Sequence, residues 1–460
     1  MAYYIWRSYK LSLLPLRIFE GLSQYKNCFF LDSSCPGNKF LGRYSFLGIE
    51  PFAILKSSRE NPFPRLRVLL ARYKINAGRS GIPFLGGAVG YLSYDSGLYL
   101  EKKVKIIPKP AADIPDCFFA FYNTVIIIDH FKRRLHICAV GFPEKKSNLV
   151  KALCQANLKR ITNLLAQVES GKNFNFAPAN KYNTHLKSNF SKTQYLKAVE
   201  EAKKYIKAGD IYQVNLTQQL SGQSALTAFE TYRRLRALSP SFFGAYLDGG
   251  DFQIISSSPE RFLKLENNIA STRPMKGTRA RAKNKRQDRR LRQELLQSAK
   301  DKAELMMIVD LERNDLGRVC SYDSIKVEKM RELEKYNTVF QTTANIRGHL
   351  YPGKDRVDLL RACFPGGSIT GCPKIRSMEI IEELEPSRRS IYTGILGYLS
   401  FCGKMDFNIL IRTILKQGSR IKFGVGGGIV ADSDPKKEYE ETLVKAKAMM
   451  QAIGVERWGK

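Results

Sequence analysis

The apolar runs in this chain are only as long as β-strands. The clearest are residues 125–128 and 391–398, whereas a membrane-spanning helix needs about 18 consecutive apolar residues. The N-terminus has no continuous apolar stretch before a small-residue cleavage site, so we expect no secretory signal. Because 43% of the 460 residues are hydrophobic, the chain has enough apolar side chains for an ordinary core. These features predict a β-rich globular protein with no membrane partner.

A polar stretch over residues 169–189 divides the chain into two predicted regions. It contains Gly171 and Pro178 and few apolar residues, which is typical of a linker. Residues 1–168 and 190–455 lie on either side of it. The predicted strands are residues 88–94, 118–129, 134–140, 252–257, 395–401, 408–415 and 421–425. The predicted helices are residues 145–167, 287–300, 303–311, 373–384 and 435–452, together with one that begins at a capping box of Ser191 and Gln194.

The nine cysteines form no recognisable metal or disulfide pattern. They lie between Cys28 and Cys402 without a Cys-x-x-Cys pair, which argues against a zinc site and a disulfide framework. A reducing compartment suits free thiols, so we expect a cytoplasmic protein.

The chain is strongly basic, with a formal net charge of +32. Its densest basic run is residues 276–302, which has no aromatic residue on which a nucleic-acid base could stack. No nucleic-acid-binding motif accompanies it. Nucleic-acid binding is therefore a minority hypothesis, we expect no nucleic-acid partner, and we interpret the run as solvated surface.

Two pairs of carboxylates share a helical spacing: Asp301 with Glu304, and Glu438 with Glu441. Residues three apart lie on one face of a helix, so each pair offers two carboxylates to one spot. Two pairs that face each other would form a Mg²⁺ site. A solvated helix face is the alternative for each pair, and the spacing does not decide between them.

Two glycine-rich turns lie at residues 365–368 and 424–428. Glycines let backbone N–H groups approach an anion closely. Neither turn matches the phosphate loop or the dinucleotide fingerprint, so tight turns of a sheet protein are the alternative.

Glu260 and Lys276 are candidates for acid and nucleophile. Glu260 follows a predicted strand in Ser-Pro-Glu-Arg, and Lys276 lies in Pro-Met-Lys-Gly. A lysine attacks only as the neutral amine, so it needs surroundings that lower its pKa. A glutamate donates a proton near neutral pH only where its pKa is raised. A surface charge is the alternative for each.

These segments together resemble the chorismate-utilising enzyme family, which includes anthranilate, aminodeoxychorismate, isochorismate and salicylate synthases. The resemblance extends to an N-terminal segment at residues 42–48. The motifs that carry it are residues 209–215 (GDIYQVN), 256–263 (SSSPERFL), 271–281 (STRPMKGTRAR), 300–319 (KDKAELMMIVDLERNDLGRV), 363–385 (CFPGGSITGCPKIRSMEIIEELE), 392–401 (YTGILGYLSF), 407–413 (FNILIRT) and 423–442 (FGVGGGIVADSDPKKEYEET).

The resemblance implies an α+β fold of two lobes, with mainly antiparallel β-sheets packed face to face and helices outside. Residues 1–168 would be the N-terminal lobe and residues 190–455 the chorismate-binding catalytic region. It implies a Mg²⁺ ion held by Glu304 and Glu441, with Asp301 and Glu438 around it. It implies that Lys276 attacks C2 of chorismate while Glu260 protonates the leaving C4 hydroxyl. The residues implied to bind substrate are Gln213, Ser368, Tyr392, Arg412, Gly426, Gly427 and Gly428.

Two positions distinguish members of the family. Isochorismate-type members carry a lysine at the position of Gln213, and anthranilate synthases typically carry alanine at the position of Lys276. The pair seen here implies aminodeoxychorismate synthase component I, with anthranilate synthase component I as the alternative. Ammonia would come from a separate glutamine amidotransferase subunit, because the chain has no Gly-x-Cys-x-Gly nucleophile.

Three further positions concern two properties of family members, the elimination of pyruvate and the binding of tryptophan. Gln341 stands where several members have histidine, which makes pyruvate elimination less expected. Residues 239–242 replace an Asn-Pro-x-Pro segment that in anthranilate synthases helps to hold inhibitory tryptophan. Ser33 matches the family's tryptophan-site serine, so it marks a candidate tryptophan site and leaves regulation open.

Overall fold

The computed structural model describes residues 3–35, 41–76, 81–111, 114–171, 184–335 and 339–455. Most of the predicted linker, residues 172–183, lies outside them. Among the described residues no helix combines the length and apolar character needed to cross a membrane.

The described residues form two antiparallel sheets with helices around them. The strands are β1 (Tyr4–Lys10), β2 (Phe29–Asp32), β3 (Tyr44–Gly48), β4 (Ala53–Ser57), β5 (Gly87–Leu92), β6 (Cys117–Tyr122), β7 (Thr124–Asp129), β8 (Arg134–Val140), β9 (Leu186–Ser188), β10 (Gln213–Gln223), β11 (Phe243–Asp248), β12 (Gln253–Ser258), β13 (Arg261–Glu266), β14 (Ile269–Arg273), β15 (Met275–Ala280), β16 (Lys326–Lys335), β17 (Val339–His349), β18 (Gly371–Cys372), β19 (Ile395–Ser400), β20 (Met405–Ile409), β21 (Thr413–Gln417) and β22 (Arg420–Ile429). The helices are α1 (Pro15–Leu22), α2 (Phe63–Arg72), α3 (Ser147–Glu169), α4 (Lys192–Lys207), α5 (Ala228–Leu238), α6 (Lys285–Gln297), α7 (Ala299–Gly317), α8 (Arg356–Cys363), α9 (Lys374–Leu384) and α10 (Pro435–Ala452).

Each sheet contains strands from both sides of the predicted linker. Sheet A has 12 strands in the order β1-β8-β7-β3-β2-β11-β12-β21-β22-β10-β18, with β9 beside β10. Sheet B has 10 strands in the order β15-β17-β14-β13-β20-β19-β5-β6-β4, with β16 beside β17. The early and late parts of the chain are thus joined by strand pairing, for example β2 with β11 and β5 with β19.

The two sheets pack face to face over an aromatic core. The rings of Phe46 in sheet A and Tyr398 in sheet B lie 5.5 Å apart, and those of Tyr91 and Phe252 lie 5.8 Å apart. A second apolar cluster on the other face of sheet A involves α1, α5 and α10. Because sheet A is covered on both faces, every residue of β7 is buried, which explains the uninterrupted apolar run at residues 125–128. The expected α+β fold is confirmed.

Two predicted strand segments are each divided between the sheets. Residues 118–129 form β6 in sheet B and then β7 in sheet A, on either side of Asn123. The single strand predicted over residues 408–415 is wrong, because β20 ends at Ile409 in sheet B and β21 begins at Thr413 in sheet A. The backbone turns between them, where Arg412 has a positive φ of 51°.

Several helix predictions are confirmed. Ser191 and Gln194 form the expected capping box at the start of α4. Helix α10 has the predicted bounds, with Asp434 as N-cap and Pro435 in the first turn. The predicted helix at 303–311 is the middle of the longer α7, whose N-cap is Ser298.

Candidate active site

Glu260 lies where the chain passes from β12 of sheet A to β13 of sheet B. It is 5% exposed, and its backbone carbonyl accepts a hydrogen bond from Ile409 N at 3.1 Å. Ser368 Oγ donates a hydrogen bond to Glu260 Oε1 at 2.8 Å. Burial raises the pKa of Glu260 to about 7, although the Ser368 hydroxyl and the charge of Lys276 act in the opposite direction. A carboxyl group with this pKa can donate a proton near neutral pH.

Lys276 is the second residue of β15, the strand at one end of sheet B. Its backbone carbonyl accepts a hydrogen bond from Thr342 Oγ1 at 2.6 Å, which fixes the strand against β17. Burial lowers the pKa of its amine, and the charge of Lys445 lowers it further, whereas Glu304 and Glu260 favour the charged form. A lowered pKa increases the fraction of neutral amine, which is the nucleophilic form.

Gly277 lets helix α7 approach this strand. It has a φ of 73°, and a Cβ at this position would lie 3.1 Å from the carboxyl carbon of Asp301. A side chain here would therefore strain the backbone and displace the first turn of α7. The glycine after Lys276 brings the acidic end of α7 next to the lysine.

The predicted pair Asp301 and Glu304 lies in the first turns of α7, on one face as expected. Asp301 accepts a hydrogen bond from Arg279 Nη2 at 3.0 Å. Glu304 Oε1 lies 3.9 Å from Lys300 Nζ, and its side chain is 19% exposed. Both carboxylates thus have a cationic neighbour, but the contact of Glu304 with Lys300 is longer than that of Asp301 with Arg279.

The predicted pair Glu438 and Glu441 lies at the start of α10. Glu438 is buried and accepts a hydrogen bond from Ser433 Oγ at 2.7 Å. Burial and the neighbouring charge of Glu441 raise its pKa, and Ser433 opposes this. Burial also acts to raise the pKa of Glu441, but the ammonium of Lys445, at 2.8 Å, outweighs it and the pKa is lowered.

The donor atoms around Lys276 suit a hard divalent cation. A Cβ on Gly427 would lie 3.3 Å from Glu438 Oε2 and 3.8 Å from Glu441 Oε1, so the missing side chain leaves both carboxylates room. Glu304 and Glu441 both act electrostatically on Lys276, which places them around one point. Carboxylate oxygens are the ligands that Mg²⁺ prefers. Within the described ranges, however, no three acidic, cysteine or histidine side chains converge as a metal cluster.

Gly424, Gly426 and Gly428 of β22 share one face of sheet A, whereas Gly427 faces Glu438 and Glu441. Gly424 lies under the ring of Tyr392, where a Cβ would come within 2.2 Å of the ring. A Cβ on Gly428 would lie 3.0 Å from Gln213 Nε2. Gln213 and Tyr392 are both buried. The structure thus brings the predicted Gln213, Tyr392, Gly426 and Gly428 to one face of the sheet, and Gly427 to the carboxylates of α10.

Arg412 and Ser368 both lie beside the chain crossing that carries Glu260. The backbone carbonyl of Arg412 accepts a hydrogen bond from Ser257 N at 3.1 Å, beside the crossing that carries Glu260. Its guanidinium lies 3.5 Å from Ser239 Oγ. Ser368 lies in a short 3₁₀ turn, Gly367–Ile369, and is bound to Glu260 as described above.

Ser33 lies elsewhere, on a cavity of about 280 Å³ between the sheets. Its hydroxyl contacts the carbonyl oxygens of Tyr44 at 3.0 Å and Phe242 at 3.1 Å. Phe242 belongs to the segment that replaces the family's Asn-Pro-x-Pro. Lys276 and Glu260 do not line the Ser33 cavity.

Gln341, at the family histidine position, lies on β17. Its side-chain amide donates a hydrogen bond to Thr278 Oγ1 at 3.3 Å.

Two polar residues of the site were not predicted from the sequence. Lys445 bonds both Glu441 and the carbonyl oxygen of Gly426, at 2.8 Å each. Its spacing four residues after Glu441 on a helix was an available signal. Asn215 lies two residues after Gln213 on β10, so strand alternation would have placed both on one face.

Comparisons with known proteins show the family to which the chain belongs. The family model described as chorismate binding enzyme matches residues 26–451. The chain is 36% identical to aminodeoxychorismate synthase component 1 of Bacillus subtilis (strain 168), over 95% of this chain and 94% of that protein. It is also 36% identical to anthranilate synthase component 1 of Acetivibrio thermocellus, over 95% and 92%. The structure of anthranilate synthase component I from Streptococcus pneumoniae TIGR4 is similar, with a TM-score of 0.78 and 32% identity, over 89% of this chain and 92% of that one. The family match and these relatives span the strands and helices that carry Lys276, Glu260 and the carboxylate pairs, and the chain therefore belongs to the chorismate binding enzyme family.

Proposed function

We propose that the chain is component I of an aminodeoxychorismate synthase, which converts chorismate and ammonia to 4-amino-4-deoxychorismate and water for para-aminobenzoate and folate synthesis. The observation that carries the proposal is a lysine of lowered pKa, Lys276, in the same site as an acid of raised pKa, Glu260. A nucleophile and a proton donor with these properties suit a substitution in which a hydroxyl group leaves.

The proposed reaction has two substitution steps. The neutral amine of Lys276 forms a bond to C2 of the ring, both ring double bonds shift by one position, and the C4–oxygen bond breaks. Glu260 gives the departing oxygen its proton, so the oxygen leaves as water. Ammonia then forms a bond to C4, the double bonds shift back, and the bond between C2 and the lysine nitrogen breaks to restore the amine. The new ammonium group returns a proton to Glu260. Covalent catalysis divides one difficult substitution into two easier ones.

In this proposal Mg²⁺ would be held by Glu304 and Glu441, with Asp301 and Glu438 beside them. When bound, the cation would neutralise the ring carboxylate of chorismate and fix the ring. Arg412 would bind the enolpyruvyl carboxylate, because a guanidinium can bond a carboxylate with two parallel hydrogen bonds. Tyr392, Ser368 and the backbone amides of Gly426, Gly427 and Gly428 would complete that end of the pocket.

We also propose that a glutamine amidotransferase subunit supplies the ammonia. The designation component 1 of the relatives supports a partner. The nine free cysteines support a cytoplasmic setting. For the purified chain, ammonium salts should replace the partner subunit as the source of ammonia.

Anthranilate synthase component I is the second candidate. The equal identity to relatives of both kinds favours it as much as the first, and Lys276 is the residue against it. In anthranilate synthesis ammonia adds at C2, pyruvate is eliminated, and no covalent lysine intermediate is needed.

A product assay tests the proposal. Purified chain is given chorismate, Mg²⁺ and ammonium chloride, and the products are separated by liquid chromatography with fluorescence detection. Accumulation of aminodeoxychorismate without fluorescent anthranilate is expected. Formation of anthranilate would overturn the assignment, as would turnover that does not require ammonium. The K276A variant serves as the matched control for background conversion.

A further inference from the structure

Strand β13 contains a β-bulge directly after the proposed general acid, Glu260. Between Arg261 and Lys264, two residues of β13 lie opposite one residue of β14, Thr272. The pairing of β13 with β20 shifts at the same place, so Phe262 is the extra residue on both sides. A bulge bends its strand and leaves the extra residue outside the regular ladder. The backbone beside Glu260 therefore needs a further contact to hold it in one position.

The hydroxyl of Thr272 provides that contact and makes a second one. Thr272 Oγ1 lies 2.7 Å from the carbonyl oxygen of Phe262 and 2.7 Å from Glu312 Oε2. Phe262 and Thr272 are each 4% exposed, and Glu312 is 7% exposed. Both distances are those of full O–H···O hydrogen bonds, for which about 2.7–2.8 Å is typical. The hydroxyl thus takes part in two full hydrogen bonds.

The single hydrogen of this hydroxyl cannot serve both bonds. A threonine hydroxyl has one O–H donor and two lone pairs, and a backbone carbonyl oxygen only accepts. The hydrogen of Thr272 is therefore donated to Phe262, and the bond to Glu312 needs a hydrogen from the glutamate. Only a protonated carboxyl group has one. The geometry thus requires Glu312 to be a neutral acid that donates to Thr272 Oγ1.

The charged groups around Glu312 agree with a neutral acid. Burial raises the pKa of Glu312 well above its usual range, and the negative charges of Glu260 and Asp315 raise it further. Thr272 and Lys374 act in the opposite direction. Lys374 forms its ion pair with Asp315, at 2.5 Å. The surroundings of Glu312 therefore favour its protonated form.

We propose that Glu312 is a positioning residue for the general acid Glu260. As a neutral acid it donates to Thr272, the hydroxyl of Thr272 donates to the carbonyl oxygen of Phe262, and this chain of hydrogen bonds fixes the bulge. Because Glu312 is uncharged, it holds the strand without adding a second negative charge beside Glu260. The inference rests on the proposed function only in making Glu260 the proton donor, since the protonation of Glu312 follows from the geometry alone.

The kinetic test compares E312Q with E312L. Glutamine has nearly the shape of glutamic acid and can donate an N–H to Thr272 Oγ1, whereas leucine has no donor. Asp310 lies on the exposed side of the same helix, so D310L controls for a leucine in α7. We measure kcat and the KM for chorismate with saturating ammonium, and kcat/KM across the pH range.

The expected results differ between the two variants. For E312L we expect kcat to fall about tenfold or more while the KM for chorismate changes less than about twofold, because a displaced proton donor affects the transition state more than binding. For E312Q we expect a kcat within about twofold of wild type and an unmoved pH profile, because one neutral donor replaces another. D310L should change neither value.

Infrared difference spectroscopy tests the protonation of Glu312 without turnover. The measurement is made at about pH 8, above the pKa of about 7 of Glu260. We expect the wild-type spectrum to contain a C=O stretching band of a buried protonated carboxyl group that the E312Q spectrum lacks. Other protonated carboxyl groups contribute equally to both spectra and cancel in the difference.

The outcomes separate this inference from the proposed function. A difference spectrum without the band would overturn the neutral acid, and so would a loss of kcat in E312Q as large as that in E312L. Wild-type amination of chorismate with an unaffected E312L would overturn the positioning role alone, whereas wild-type protein that does not aminate chorismate would overturn the proposed function and the positioning role together. Circular dichroism confirms that E312L is folded. If leucine prevents folding, T272V removes the central hydroxyl and carries the same kinetic expectation.

Discussion

Ser368 Oγ donates a 2.8 Å hydrogen bond to Glu260 Oε1 within a region where Glu260 is 5% exposed. The hydroxyl stabilises the charged carboxylate, whereas burial favours the protonated acid and raises its pKa to about 7. A general acid works only while it is protonated. We therefore expect turnover to fall as the pH rises through about 7.

Removing the hydroxyl should move this limb of the pH profile. In S368A the charged form of Glu260 loses a hydrogen bond worth about 1 kcal/mol, so its pKa rises by about 0.7 units. The decline in kcat/KM should shift to higher pH by that amount. The control is S400A, because Ser400 is also buried but bonds the carbonyl oxygen of Gly86 in another part of sheet B. A limb that stays in place in S368A would exclude Glu260 as the titrating acid.

Replacing the proposed nucleophile should stop turnover without stopping binding. In K276A we expect kcat with ammonium to fall by at least about a hundredfold, because no amine remains to form the covalent intermediate. Titration calorimetry should still detect chorismate binding to K276A. The control K404A removes a lysine that pairs with Glu266 on sheet B and should keep the wild-type rate. A wild-type rate in K276A would show that turnover does not require a covalent bond between Lys276 and the substrate.

The sequence predicted most helices because their ends carry local chemical signals. Helix α10 begins at the predicted residue because Asp434 caps it and Pro435 suits its first turn. The division of residues 408–415 between two sheets has no such signal. Both β20 and β21 contribute to the apolar interior. The apolar pattern therefore continues where the chain passes from sheet B to sheet A, and the sequence does not show that the sheet changes.

The sequence named candidate site residues but did not indicate which ion pairs they form. Family motifs pointed to Asp301 and Glu441, yet the structure pairs Asp301 with Arg279 and Glu441 with Lys445. Several basic residues lie near each carboxylate in the sequence. Only the fold determines which of them is close enough to form the ion pair. Strand alternation places Asn215 on the face of Gln213, but only the structure shows that its side-chain oxygen is buried without a hydrogen-bond partner.

Removing the Glu441 carboxylate should weaken the response to Mg²⁺. In E441Q we expect half-maximal turnover to need at least about ten times more Mg²⁺, because a charged oxygen ligand is replaced by a neutral one. The measurement is a Mg²⁺ titration of initial rate at fixed chorismate. The neighbouring Glu440 is exposed, so E440Q is the matched control and should titrate as wild type does. An E441Q titration that overlays wild type would show that Glu441 is not a ligand.

The buried ion pair of Arg389 and Glu385 should be a large contributor to folding stability. The two side chains are 2% and 3% exposed, with Arg389 Nη2 2.6 Å from Glu385 Oε1. Arg389 also donates to the carbonyl oxygens of Ile369 at 2.9 Å and Asn215 at 2.6 Å. Replacing it takes the cationic partner from a buried carboxylate and removes a donor from two carbonyls, so R389M should lower the free energy of unfolding by about 3–5 kcal/mol. The exposed pair of Arg290 and Glu294 gives the comparison, because R290A should cost less than about 1 kcal/mol. Urea unfolding followed by circular dichroism measures both, and an R389M midpoint equal to that of R290A would contradict the assigned weight of the buried pair.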